Sequence, residues 1–253
     1  MKLLIRADDF GLTPAISEGI LYAHQYGLVK SVGIMINCED SVRAMKRVQE
    51  YPDICLGLHV NLVLGKPAYE NMLPSLVGTD GLFHSSSYYR TLLKEGKIDQ
   101  VLTNRAEIAA EVWAQVRLFQ KLAGKNPSYI DSHAVSSETL QEVLVQVATE
   151  LGIVCIQKNG CTNTGVQIGK CPSIYEWYQE ERTLEAYLQQ IAGRQMEETQ
   201  MLILHPGWLD CRIYAISSLT EDRAKDLEFV TSETLKSWIG QQNIQLICHT
   251  DLQ

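Results

Sequence analysis

The chain has 253 residues, is 45% hydrophobic, and carries 30 acidic against 22 basic side chains, a formal net charge of -8. No Lys/Arg cluster suited to neutralising phosphates occurs, which argues against a nucleic-acid surface, and no apolar run approaches the roughly 20 residues of a membrane span. Seven cysteines, an odd number without a C-x-x-C pair, read as buried or free thiols. The absence of a basic and apolar leader gives the expectation of a cytoplasmic protein.

The first strand is expected over Lys2–Ala7, and it runs into Arg6-Ala7-Asp8-Asp9-Phe10-Gly11. Two adjacent carboxylates at a strand end repel and must be desolvated, an arrangement tolerated where a cation or a proton-transfer role compensates. Thr13-Pro14 then opens a helix that Gly27 closes. Strands over Val32–Asn37 and Ile54–Val60 follow, the latter within Leu56-Gly57-Leu58-His59-Val60-Asn61. A Gly- and Pro-rich excursion spans Asn61–His84, long enough for a lid or binding loop.

Asn104 with Glu107 three residues later starts a helix ending near Gly124, and Tyr129–His133 forms the next strand. Ser136 or Ser137 caps a helix that stops at Gly152, before a strand at Ile153–Gln157. A second excursion, Lys158–Glu180, carries Tyr175, Trp177 and Tyr178. A helix from Thr183 to about Met196, a strand at Met201–His205, a helix from Thr220 to about Ile239 and a strand at Ile244–His249 complete the series. Strands alternating with helices imply βαβ units. The expectation is an α/β protein of one domain over residues 1–253, a distorted TIM-like (β/α) barrel of about seven strands, with an open doubly wound sheet as the alternative.

Polar, metal-competent groups gather at the C-terminal ends of these strands: Asp8-Asp9, Asn37, His59 with Asn61, Asp131 with His133, His205 and His249. In a parallel barrel those ends converge on one face, where catalytic groups sit. A lone histidine in an apolar run such as that around His59 is more often a core residue than a ligand, and its value lies in its company. Asp131 and His133, two apart, share a strand face, so Asp131 either orients His133 or lines the same pocket. A carboxylate and two imidazoles make a mixed O/N ligand set suited to Zn²⁺ or another divalent ion, with positions open for water and substrate. His205, ahead of Pro206-Gly207, is a fourth ligand, a general acid or a capped strand end. Trp208 and the Trp177 group stack on sugar rings or, more commonly for such residues, pack; His24 and His84 read as surface or packing residues. The pairs Glu180-Glu181 and Glu221-Asp222 read as solvated helix starts.

Four segments in order, Ala7-Asp8-Asp9-Phe10-Gly11, Gly57-Leu58-His59-Val60-Asn61-Leu62, Ile130-Asp131-Ser132-His133 and His205-Pro206-Gly207, resemble the YdjC-like family of carbohydrate deacetylases, which includes the chitooligosaccharide (diacetylchitobiose) deacetylases. The stretch with Arg223 and Asp226-Leu227, followed by Asn243-Ile244-Gln245-Leu246, is similar as well. The resemblance implies a distorted barrel that removes the acetyl group of an N-acetylated amino sugar or short chitooligosaccharide, phosphorylated or not, with one divalent metal ion, Mg²⁺ or Zn²⁺. It implies Asp9, His59 and His133 as metal ligands, Asp8 as general base, His205 as general acid, and a homodimer. Competing readings are another metal-dependent amide or phosphoester hydrolase and a non-catalytic sugar-binding relative. Two departures stand out: Arg6 where family members usually have Asn, and Ala134-Val135-Ser136-Ser137 where many relatives carry a further histidine. The resemblance assigns Arg223 no role.

Overall fold

A computed structural model describes residues 1–97, 100–179, 183–193 and 198–253. Its strands are β1 (Lys2–Phe10), β2 (Ser31–Ile34), β3 (Cys55–Val60), β4 (Ile130–Ser132), β5 (Gly169–Lys170), β6 (Thr199–Leu204) and β7 (Gln245–Ile247), and every pairing among them is parallel. The order is β4-β3-β2-β1-β6-β5, with β7 on β1. β1 is the axis of the sheet. One of its edges pairs with β6 from Lys2 to Ala7, while the other takes β7 along Lys2–Leu4 and then β2 from Arg6 onward. The sheet curls around an interior plugged by Leu4, Cys55, Tyr129, Val154, Met201 and Ile247. The opposite face, with Leu3, Ile5, Ala7, Leu56, Leu58 and Leu202, belongs to the larger core beneath the helices. Burial on both faces explains why these strands read as continuous apolar runs.

The inner face has room for polar groups because glycines line part of it. Gly33 and Gly57 are register partners on β2 and β3. A Cβ on Gly57 would fall 2.3–2.4 Å from atoms of the Tyr129 ring, which itself stacks on His249 with centroids 3.5 Å apart and an interplanar angle of 10°. Only a residue without a side chain lets that stack fill the barrel.

The helices are α1 (Pro14–Gln25), α2 (Ser41–Arg47), α3 (Ser86–Lys94), α4 (Arg105–Ala123), α5 (Glu138–Leu151), α6 (Ile174–Gln179), α7 (Leu184–Gly193), α8 (Ile213–Ile216), α9 (Asp222–Thr231) and α10 (Glu233–Gln241). The expected caps are in place: Thr13, Asn104 and Ser137 accept from Ile16, Glu107 and Leu140 backbone N–H. Two departures from the sequence reading have local causes. The helix expected over Thr220–Ile239 is two, because Ser232 turns extended and uses its hydroxyl to cap α10 at Leu235. The strand expected at Ile153–Gln157 reduces to one bridge, Tyr129 with Val154, because Ile156 and Cys161 pair back onto Thr162 and Gln167. Gly169–Lys170, inside the second excursion, supplies the seventh strand. The sheet therefore curls as a half-barrel, open between Val154 and β5. Helices α2, α3, α6 and α8 were not expected. Met196 and Glu180-Glu181 lie outside the described residues.

All seven cysteines are free thiols, and no described helix is long and apolar enough to cross a membrane. Gly57→Ala is expected to lower unfolding free energy by about 2–3 kcal/mol in a urea titration, through overpacking against Tyr129. Tyr129→Leu in the same chain should recover part of the loss.

Candidate active site

Alternation along β1 sends Leu4, Arg6 and Asp8 inward and Leu3, Ile5 and Ala7 outward, so Asp9 should face away from the barrel. It does not. Asp9 adopts φ 73, and the β1–β2 register gains a residue between Ala7 and Phe10, a bulge that turns both carboxylates to the same side. The turn is held from behind: Leu12 N donates to Asp9 O (3.1 Å), Gly11 N to Ser17 Oγ (3.1 Å), Ser17 Oγ to Asp40 Oδ2 (2.7 Å), and Arg43 Nε to Asp40 Oδ1 (2.6 Å). A left-handed non-glycine residue costs on the order of 1–3 kcal/mol and persists where its surroundings over-determine it.

Register partners His59 and Asp131, with His133, come in from β3, β4 and the residue after it. His59 Nδ1 donates to Asp131 Oδ1 at 2.9 Å, which fixes its tautomer and leaves the Nε2 lone pair facing the carboxylates. His59 Nε2, His133 Nδ1 and Asp9 Oδ1 then form a triangle with sides of 3.2, 2.9 and 3.6 Å. A cation at about 2.0–2.2 Å from each ligand spaces neighbouring ligands by about 2.8–3.6 Å, so the triangle fits one first-row divalent ion or Mg²⁺. Asp9 Oδ1 is buried with no aligned hydrogen bond, as expected of an atom whose partner is a cation. The Asp9 and His59 side chains are 1% and 3% exposed and that of His133 18%, so the triangle opens past His133.

The surrounding charges bear on what the site can hold. Arg6 bridges Asp8 Oδ2 (2.7 Å) and Asp131 Oδ2 (2.8 Å), and Arg223 Nη2 reaches Asp9 Oδ2 (2.7 Å). Three carboxylates, Asp8 and Asp9 buried and Asp131 nearly so, face two guanidiniums, a balance that favours an added cation. Asp8, His59 and Asp131 also lie close enough to share an ion. There the Arg6 guanidinium already supplies the positive charge, so of the two groups the Asp9 triangle is the one with room for a cation. Burial opposes a charge on Asp9, yet His133 and Arg223 hold its carboxyl well below the usual carboxylate range. Burial likewise opposes protonation of His59, but Asp131, Asp8 and Asp9 raise it to about 9, a measure of how strongly this pocket attracts positive charge.

His205 follows β6, its Nδ1 2.8 Å from Tyr175 Oη; burial drives it down to about 4 against the pull of Asp9 and Asp8. Tyr175 Oη donates to Asp226 Oδ2 (2.7 Å), Tyr178 Oη to Asp226 Oδ1 (3.0 Å), and the His205 backbone N to Asp226 Oδ2 (2.7 Å). Burial raises Asp226 to about 6 despite these donors.

The structure thus brings Asp8, Asp9, His59, Asp131 and His133 together and sets His205 within electrostatic reach. The other strand-end groups do different work. Asn61 accepts from Val63 N and Leu64 N and donates to Asn37 Oδ1, tying down the first excursion together with Gln115 and Glu111 of α4. His249 is inside the barrel, His24 bonds Val29 O and Asp53, and His84 stacks on Tyr88. Trp177 is buried against Tyr187, whereas Trp208 is 46% exposed beside Tyr22. Sequence reasoning gave no role to Arg223 or Asp226, offered Tyr175 only as a stacking or packing group, and saw Arg6 only as a departure. Arg223, Asp226, Leu227 and Val230 occupy i, i+3, i+4 and i+7 of α9, so charges on an apolar stripe were the available signal.

With this geometry described, comparison with known proteins places the chain. A family model described as YdjC-like protein matches residues 2–241. The chain belongs to the YdjC-like family. Over its full length it is 28% identical to carbohydrate deacetylase 2 of Listeria innocua, covering 99% of that protein, and 29% identical to a carbohydrate deacetylase of Clostridium beijerinckii, covering 100%. A crystal structure of a candidate cellobiose-phosphate cleavage protein from Enterococcus faecalis V583 superposes with TM-score 0.77 at 26% identity, over 99% of this chain and 98% of that one. A mutant CE4-family pseudoenzyme superposes with TM-score 0.51 at 10% identity, over 99% of this chain and 66% of that one, a likeness of fold alone.

Two predictions follow from the ion pairs of this YdjC-like site. Arg223→Met should weaken Zn²⁺ binding about 10–100-fold in isothermal titration, because the group that aligns Asp9 is lost. Burial works against a charge on Asp131, but Arg6 and His59 bring its carboxyl down to about 2, below its unfolded value of 3.8. That stability is present above pH 4 and lost as pH falls towards 2, about 2 kcal/mol in all. Acid titration of the metal-free protein should show it, and Asp131→Asn should flatten the slope across that window.

Proposed function

We propose that this YdjC-like protein is a metal-dependent carbohydrate N-deacetylase acting on an N-acetylated amino sugar or short chitooligosaccharide. The observation that carries the reading is the buried Asp9–His59–His133 triangle with a second carboxylate, Asp8, beside it. Asp8 Oδ1 is buried without a hydrogen-bond partner, while Oδ2 is held by Arg6. A site that only bound a cation would have no use for that free acceptor. The full-length likeness to proteins named carbohydrate deacetylases supports the chemistry and the substrate class.

Asp9, His59 and His133 would hold the metal. A divalent cation held there would acidify a water molecule and polarise a carbonyl. Asp8 accepts the proton of the attacking water, with Arg6 fixing the carboxylate and lending positive charge as the acetamide carbon becomes tetrahedral. Arg223 keeps Asp9 turned inward. His205 protonates the departing amine, so that the C–N bond breaks to release acetate and the free amino sugar. Trp208, three residues beyond His205 and exposed beside Tyr22, offers an aromatic face for a further sugar unit.

The test is acetate release from N,N'-diacetylchitobiose and its 6-phosphate. The wild-type enzyme should turn over at least one, lose activity to a chelator and regain it with Zn²⁺ or Mg²⁺. Asp8→Asn should lower kcat by about 10²–10⁴ while leaving metal affinity within a few-fold. No acetate from a broad panel of N-acetylated sugars, or full turnover by Asp8→Asn, overturns the reading.

A further inference from the structure

The group that protonates the amine must carry a proton at the edge facing the substrate, and His205 has only one edge free. Its Nδ1 is committed to Tyr175 Oη at 2.8 Å, and among the described residues no protein group bonds Nε2. Tyr175 has a single hydroxyl proton and two neighbours, His205 Nδ1 and Asp226 Oδ2 at 2.7 Å. It therefore donates to one and accepts from the other, and the protonation states at the two ends are linked. Asp226 is fully buried, and its three other contacts are donors or a cation's field: His205 N, Tyr178 Oη and the nearby Arg223. His205 faces Asp8, Asp9, His59 and Arg223.

We propose that Tyr175 is a positioning residue that joins His205 to Asp226 in a proton relay, with Asp226 as the proton reserve of the general acid. The proposal rests on the deacetylase reading above. In the proton-loaded form, Asp226 Oδ2–H donates to Tyr175 Oη, Tyr175 O–H donates to His205 Nδ1, and the neutral ring carries its own proton on Nε2. As the C–N bond breaks, the Nε2 proton moves to the amine nitrogen, the Tyr175 proton moves to Nδ1, and the Asp226 proton moves to Tyr175 Oη. The trio has then lost one proton. Tyr175 is again a phenol, Asp226 is a carboxylate, and His205 is neutral with its hydrogen on Nδ1. One proton from water reloads the trio. The imidazolium, which burial disfavours, never has to form, and this agrees with the directions in which burial drives the His205 and Asp226 pKa values.

The experiment compares Tyr175→Phe and His205→Ala with wild-type enzyme, all zinc-loaded, on two substrates. Diacetylchitobiose has an amine leaving group that needs a proton, whereas 4-nitrophenyl acetate has a phenolate that does not. Tyr175→Phe should lose at least about tenfold in kcat on the amide, keep KM within about twofold, and hydrolyse the aryl ester at the wild-type rate; His205→Ala should show the same split. If His205→Ala splits the substrates but Tyr175→Phe behaves as wild type, or loses both activities together, the relay is wrong and the acid assignment stands. If His205→Ala shows no split, the acid assignment fails and takes the relay with it. A measurement without a variant is available too: ¹⁵N NMR of the zinc-loaded wild-type protein should find the His205 ring proton on Nδ1 when Asp226 is ionised and on Nε2 when Asp226 is protonated, and a tautomer that ignores the protonation of Asp226 overturns the proposal.

Discussion

The left-handed residue at the end of β1 is the constraint on which the site depends. A regular strand would send Asp8 and Asp9 to opposite faces, and the sheet would hold one carboxylate inside and bury the other beneath its helices. The bulge at Asp9 returns the second carboxylate to the interior. One carboxylate can then serve a cation while its neighbour stays free for a proton. The strain is met by the Ser17, Asp40 and Arg43 chain behind the turn, so the start of α1 and α2 is part of the site's support.

A second constraint is charge. Asp8 and Asp9 are buried beside the nearly buried Asp131, and carboxylates crowded in this way are tolerated where positive charge compensates. Arg6 serves two of them and Arg223 the third. Helix α9 carries both Arg223 and, one turn on, Asp226, so a single element aligns the Asp9 carboxylate and anchors the His205 side of the pocket. Arg6, between Asp8 and Asp131, holds both carboxylates with one guanidinium.

The architecture was largely legible because fully buried parallel strands write themselves as apolar runs and helix caps as Thr-Pro, Asn-x-x-Glu and Ser pairs. Asp9, His59 and His133 stood out among the polar groups at the ends of such runs, and the family resemblance alone named them as ligands. What escaped has a physical explanation. The inward turn of Asp9 is a backbone event that side-chain alternation does not encode. β5 is two residues long, too short for any periodicity. The break at Ser232 uses a hydroxyl equally at home inside a helix. Tyr175 and Asp226 are far apart in sequence and meet only through tertiary packing, so no local pattern joins them.

The central claim is that the bulge at Asp9 builds a single cation site. An anomalous-scattering crystal structure of the protein loaded with Zn²⁺ tests it most directly. The account predicts one buried peak within about 2.0–2.3 Å of Asp9 Oδ1, His59 Nε2 and His133 Nδ1, with Arg6 still between Asp8 and Asp131. A peak held by Asp8 and Asp131 with Arg6 displaced, or no peak at Asp9, would contradict it.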